Sequence, residues 1–246
     1  MILDRAEHSQ YTSNSYLLAE GPGGRGLLVD GHGEGGPLLE RIEREGIEID
    51  AIVLTHHHGD HVDIAQYTER FDVPVLAHPL TAELLPDGLV TDSLEDGGEV
   101  FAGDLVLRAI FTPGHAAGHL ALLADETDLL TADLLFKGTV AGTMAPGATG
   151  YGDLKHSIME RLMSLDSAIR VHPGHTLPTT IGDEWETNPF IRVWRGVDPE
   201  GTDTVRVHGR DATLVLWAPD YDGTNKAWVR FGDGRDAIVG GSQVTR

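Results

Sequence analysis

Thr55-His56-His57-His58-Gly59-Asp60-His61 follows directly on the apolar run Ala51-Ile52-Val53-Leu54. An apolar run of that length, bounded by polar residues, reads as a buried strand. The turn at its C-terminal end then carries an H-x-H-x-D-H pattern. Such crowding of imidazole nitrogens and a carboxylate suits a divalent metal ion. A lone buried histidine is more often a satisfied core residue than a ligand. Here the run is internal, continues into Asp60 and His61, and sits at a strand end, which favours the metal reading.

Working outward, the apolar runs Tyr16-Leu17-Leu18 and Leu27-Leu28-Val29 flank Gly21-Pro22-Gly23-Gly24 and read as a β-hairpin. Leu38, Leu39, Ile42 and Ile47 recur at near-helical spacing, predicting a surface helix that leads into the 51–55 strand. After the histidine run, 62–71 is expected to be a helix and 73–78 a strand returning to the same sheet. Strands are expected near 99–101 and 105–111, the latter stopping at Thr112-Pro113-Gly114-His115-Ala116-Ala117-Gly118-His119. The next buried strand, near 128–131, stops at Ala132-Asp133. The glycine-rich stretch 137–152 has no helical period and predicts a mobile loop. A helix over 154–165 and a strand over 168–171 then lead to His172-Pro173-Gly174-His175. Strands alternating with helices define an α/β class.

Beyond the linker 196–201 the texture changes to short alternating runs: 204–207, 213–217, 227–231 and 237–239, divided by Gly and Asp turns. We therefore expect two units, 1–196 carrying the metal site and 197–246 forming a small β appendage. The four tryptophans, Trp185, Trp194, Trp217 and Trp228, are expected in the core or at the contact between these units.

Composition narrows the chemistry. There are no cysteines, which excludes disulfides, thiolate ligands, iron–sulfur clusters and a cysteine nucleophile. Aspartate and glutamate number 39 against 18 lysines and arginines, a formal charge of −21. A surface of that sign repels nucleic acid and anionic membranes, so neither is an expected partner. No segment approaches the roughly 20 apolar residues of a membrane span. The expectation is a soluble, cytoplasmic protein with a small-molecule substrate, and a homo-oligomer is compatible with it.

Donors thus stand at four strand ends: His56, His58, Asp60 and His61; then His115; then Asp133; then His175. These residues resemble the metallo-β-lactamase superfamily over about 12–195, in which an H-x-H-x-D-H run, a later histidine, an aspartate and a last histidine bind two metals. Thr112-Pro113-Gly114-His115, with 180–184 and Asn188-Pro189-Phe190, is most similar to the glyoxalase II (hydroxyacylglutathione hydrolase) branch. The resemblance implies an αββα sandwich of the metallo-β-lactamase type. It implies that His56, His58 and His115 hold one ion and Asp60, His61 and His175 the other, with Asp133 bridging. It also implies a dinuclear hydrolase whose metal-bridging hydroxide cleaves a thioester, a 2-hydroxyacyl conjugate of a low-molecular-weight thiol. Asp60 is the expected catalytic residue, orienting that hydroxide. All-histidine and carboxylate donors suit zinc, and accept iron or manganese.

Two rivals share the resemblance: a lactonase, and a persulfide dioxygenase using a single iron. A non-enzymatic binding role for the β appendage is a third, opposed by the complete donor set. Lys137, four residues after Asp133, is a candidate contact for an anionic substrate group. Glutathione-specific relatives carry basic and tyrosine residues after the bridging aspartate and a helical C-terminal domain. This chain has 136–142 and a β-rich C-terminus instead. His57, central in the run, is expected to face away; His119, His78, His172 and His32 are expected to support ligands or packing.

Overall fold

The computed structural model describes residues 1–246. Its centre is a pair of six-stranded sheets. In the first, strands Ile2–Glu7, Asn14–Ala19 and Arg25–Val29 run antiparallel, and Arg25–Val29, Glu48–Val53, Val75–Ala77 and Asp92–Ser93 continue as parallel neighbours. The second runs in the order Thr179–Thr180, Arg170–Pro173, Asp128–Ala132, Leu120–Ala124, Leu105–Phe111 and Glu99–Ala102. Only the Asp128–Ala132 and Arg170–Pro173 pair in it is parallel.

Both central hairpins read as continuous apolar runs because both of their faces are covered. Leu18, Leu27, Val29, Ala51 and Val53 from the first sheet pack with Leu105, Leu107, Leu120, Leu122 and Leu130 from the second. Their alternate neighbours turn the other way: Leu17, Leu28 and Ile52 meet Leu38 and Ile42 of helix Gly36–Glu45. On the far side, Ala121, Leu123, Leu129 and Val171 meet Leu154, Ile158, Phe190 and Ile191 from helical segments. The result is helix, sheet, sheet, helix, the layered sandwich expected from the resemblance.

The expected helix over 62–71 is only a single turn, Ala65–Thr68. Val62–Asp63 is instead drawn into a parallel bridge with Gly31–His32, where Gly33 N–H donates to the Asp63 carbonyl (3.1 Å). Of the expected loop 137–152, the part 141–150 is without helix or strand, but the stretch is fastened at its start. Leu135–Phe136 and Thr139–Val140 pair as a hairpin, and Thr143 N–H donates to the Ile238 carbonyl (2.9 Å). The predicted 154–165 helix begins earlier, as Tyr151–His156, and continues as a π-helical stretch, Ser157–Leu162. No helix is long and apolar enough to cross a membrane.

Residues 203–245 form a separate five-stranded antiparallel sheet. Period-two alternation divides it: Ala227, Val229, Phe231, Ala237 and Val239 build a cluster of its own. Lys226, Trp228 and Ile238 point the opposite way. A bulge between Leu214 and Leu216 turns Val215 and Ala218 to that second side too. There Val215, Ala218, Trp228 and Ile238 join the apolar cluster beneath the second sheet of the sandwich.

Candidate metal centre

Four strand ends open on one edge of the sandwich. The turn carrying His56, His58, Asp60 and His61 follows strand Glu48–Val53; His115 follows Leu105–Phe111; Asp133 follows Asp128–Ala132; His175 follows Arg170–Pro173. Leu120 N–H donates to the Thr55 carbonyl (2.9 Å), tying the edges of the two sheets together beside the site. Gly174 permits the close approach of the last two donors: a β-carbon there would lie 2.1 Å from Asp133 Oδ1.

The structure brings all seven expected donors together. His56, His58, His115 and Asp133 offer atoms within 4.8 Å of one another, and so do Asp60, His61 and His175. Asp133 lies between the groups. Its Oδ2 is 3.8 Å from His56 Nε2, 3.7 Å from His115 Nε2 and 3.4 Å from His175 Nε2, and its Oδ1 is 3.3 Å from His61 Nε2. Asp60 Oδ2 is 3.5 Å from His175 Nε2 and 3.8 Å from His61 Nε2. Tetrahedral ligands about 2.1 Å from a zinc ion stand roughly 3.4 Å apart, the range seen here.

Outer hydrogen bonds set which nitrogen faces inward. His115 Nδ1 lies 3.0 Å from the Gly142 carbonyl and His175 Nδ1 3.1 Å from the Tyr11 carbonyl. His61 Nδ1 lies 3.1 Å from Asp30 Oδ2. Each assignment places N–H outward and leaves the Nε2 lone pair facing the centre. Asp30 also accepts from Thr55 N–H (2.8 Å) and Thr55 Oγ1 (2.7 Å), and Thr55 Oγ1 lies 3.0 Å from His56 Nδ1. This buried carboxylate is the main supporting residue that sequence reasoning missed. Its Asp30-Gly31 setting at a strand end signals a turn rather than a ligand's partner.

The residues fit a metal. His56 Nε2, His61 Nε2 and Asp133 Oδ1 are buried without a hydrogen-bond partner, and all three converge on this centre. Burial pulls His56 well below the usual histidine range and His115 down to about 4, so both imidazoles are neutral and free to donate a lone pair at pH 7. At His61 burial also acts downward, but Asp133 and Asp30 outweigh it and hold the ring well above its ordinary value. Burial would raise Asp133; His175 and His61 outweigh it and keep the carboxylate well below its ordinary range. The pocket therefore favours positive charge at its middle, where a bound cation would replace a proton.

The remaining histidines lie outside the donor groups. His57 packs against Gly147. His119 Nδ1 lies 2.9 Å from Thr112 Oγ1 behind His56, with ring centroids 5.4 Å apart. His78 caps the turn Pro79–Ala82, His32 contacts Ser15, and His172 lies 2.8 Å from Asp128. Lys137 is not brought to the centre. It is exposed and lines a separate cavity of about 580 Å³ with Arg170, His172 and Asp183, and no donor residue borders that cavity. The lysine beside the centre is Lys226, buried under the C-terminal sheet with Nζ 5.5 Å from the Phe136 ring. Next to it, Tyr221 stacks on His175, with burial first and Asp133 second pushing its phenol above the usual tyrosine range.

Comparison with known proteins places this geometry in a family. Residues 9–175 match the model of the metallo-beta-lactamase superfamily. A probable metallo-hydrolase of Bacillus subtilis is 30% identical over 197 residues, covering 73% of this chain and 92% of that protein. A hydroxyacylglutathione hydrolase of Mesorhizobium japonicum is 28% identical over 218 residues, covering 72% and 81%. Among solved structures, TTHA1623 in a di-iron-bound form superposes with a TM-score of 0.66 at 34% identity, covering 76% of this chain and 99% of that one. With its sandwich, its strand-end donors and this match over most of its length, the chain belongs to the metallo-beta-lactamase superfamily.

Proposed function

We propose that the chain is a dinuclear metal-dependent hydrolase of thioesters, acting on a 2-hydroxyacyl conjugate of a low-molecular-weight thiol. The observation that carries the two-metal part is the pair of donor groups sharing Asp133. His56, His58 and His115 would hold one ion, and Asp60, His61 and His175 the other, with Asp133 common to both. The thioester part is supported by the similarity to the hydroxyacylglutathione hydrolase. Zinc suits these donors, and the di-iron form of TTHA1623 supports iron in the same kind of site.

Two divalent ions, when bound there, would supply Lewis acidity that lowers the pKa of a water and polarises a carbonyl. The chain's own residues do the rest. Asp60, less buried than His61 and His175 beside it, is placed to accept a hydrogen bond from the attacking water and fix its direction. Asp30, through His61, and the Gly142 and Tyr11 carbonyls, through His115 and His175, hold the imidazoles so that no reorganisation is needed during reaction.

Metal quantitation coupled to a substrate panel tests this reading. We expect two ions per chain and turnover of S-lactoyl thioesters exceeding that of acyl homoserine lactones by at least about 100-fold, as an interaction difference of roughly 3 kcal/mol would give. Preference for lactones would make the protein a lactonase. One iron per chain, with oxygen uptake on a thiol persulfide, would replace hydrolysis by dioxygenation. Asp60→Ala should lower kcat about 100-fold or more while leaving the fold intact, the scale of one positioned proton-handling group; unchanged turnover would remove Asp60 from the mechanism.

A further inference from the structure

The C-terminal sheet delivers one side chain to the metal centre. Strands Arg210–Pro219 and Asn225–Phe231 are joined by a tight turn in which Asp220 N–H donates to the Thr224 carbonyl (3.0 Å). Asp222 Oδ1 stiffens it, accepting from Thr224 N–H (2.8 Å) and Thr224 Oγ1 (2.6 Å). Tyr221 projects from this turn. Its ring lies nearly parallel to His175, with centroids 4.7 Å apart and planes 16° apart. Phe136 packs against it from another side at 4.7 Å.

A second contact clamps the turn in place. Lys226 is buried, donates from Nζ to the Val140 carbonyl (2.9 Å) and pairs with Asp220 (3.0 Å). Its ammonium lies 5.2 Å from the centre of the Tyr221 ring. Because Lys226 is committed to Asp220 and Val140, it holds the turn on the sandwich rather than reaching for a ligand. Tyr221 differs: it is half-buried, and its hydroxyl makes no hydrogen bond within the protein. A ring fixed by His175, Phe136 and Lys226 has already lost its rotamer freedom, so a ligand meeting the hydroxyl pays little for ordering it.

We propose that Tyr221 is a substrate-contacting residue contributed by the C-terminal sheet, donating its O–H to an oxygen of the substrate's acyl part on the His175 side of the centre. The nature of that acyl part, a 2-hydroxyacyl group, rests on the thioester reading above. The sheet lies beyond the residues matched by the family, 9–175, so acyl selection in this chain is assigned to a segment outside the shared catalytic body.

The test uses full-length, cobalt-loaded protein and its Tyr221→Phe variant, which keeps the stacked ring and removes only the hydroxyl. The deciding measurement is the affinity for lactate, a free 2-hydroxy acid, read by titration of the visible cobalt spectrum. We expect unchanged metal content and unfolding temperature, and lactate binding weakened about three- to tenfold, the scale of one neutral hydrogen bond. Equal affinities, absence of binding in both proteins included, would overturn the proposal. Thioester turnover is measured alongside and decides a different point. If lactate binding depends on Tyr221 but no thioester is cleaved, the thioester reading falls and the tyrosine contact stands; the reverse pattern leaves the reaction and removes the contact.

Discussion

Asp30 accepts from three groups with two oxygens: Thr55 N–H at Oδ1, and Thr55 Oγ1 and His61 Nδ1 at Oδ2. Asparagine has one acceptor oxygen in the same space. If its oxygen stays with Thr55 N–H, its NH₂ faces His61 Nδ1 and selects the tautomer with the proton on Nε2, which is the nitrogen needed for the metal. Asp30→Asn should therefore weaken metal binding at the Asp60, His61 and His175 group about 10- to 100-fold, measured by competitive metal titration. Unchanged affinity would show that His61 does not depend on Asp30. The donors were legible from sequence because residue type and strand-end position together restrict what a histidine can do. Asp30 was not, since its role appears only when its strand and the His61 turn are side by side. Lys137 is near Asp133 only along the chain, whereas Lys226, 93 residues beyond that aspartate, is packed beside the centre against Phe136 and Tyr221.

At the scale of elements, the parallel pair Asp128–Ala132 and Arg170–Pro173 carries Asp133 and His175, so its register positions two of the seven donors, the shared aspartate among them. Its far end is fastened by Asp128, which is buried and accepts from Arg170 Nε (2.7 Å) and Nη2 (2.6 Å), with His172 Nε2 at 2.8 Å. Burial acts to raise the Asp128 carboxyl, but the Arg170 and His172 contacts outweigh it and hold it below the ordinary aspartate value. A carboxyl depressed in the folded state contributes stability that is fully present above the unfolded pKa, about 3.9, and is lost as pH falls through the lower folded value. The unfolding temperatures of wild type and Asp128→Asn should accordingly differ at pH 7 and converge as pH is lowered toward 3. A gap independent of pH would mean that Asp128 acts by shape rather than charge. Element reading from sequence did best where apolar runs are covered on both sides and worst at 62–71 and 137–152. In those segments backbone partners distant in sequence, Gly31–His32 and Ile238, capture residues whose local pattern suggests helix or loop.

On the scale of the whole molecule, the C-terminal sheet and the sandwich share buried surface. Val215, Trp228 and Ile238 are at most 2% exposed and lie in one cluster with Leu134, Phe136 and Leu154. Trp228 stacks on Tyr151 at 5.2 Å, and the Tyr151 hydroxyl accepts from Trp194 Nε1 (2.9 Å). Full burial of three side chains of this size contributes on the order of 5 kcal/mol. That is comparable to the total stability of a typical domain, about 5–15 kcal/mol. A chain ended after Gly196 should therefore lose cooperative unfolding or aggregate, measured by calorimetry and sedimentation, and should bind metal weakly because the Tyr221 ring stacked on His175 is gone. Trp228→Ala in the full chain should show the same weakness in milder form, destabilised by about 3–5 kcal/mol. A truncated protein that unfolds cooperatively near the wild-type temperature and keeps both metals would show that the sandwich is self-sufficient. The alternation over 204–239 announced a sheet in the sequence. Its Trp228 side looks in sequence like a solvent face interrupted by apolar residues, and only the assembled molecule shows that those residues are where the two parts hold each other.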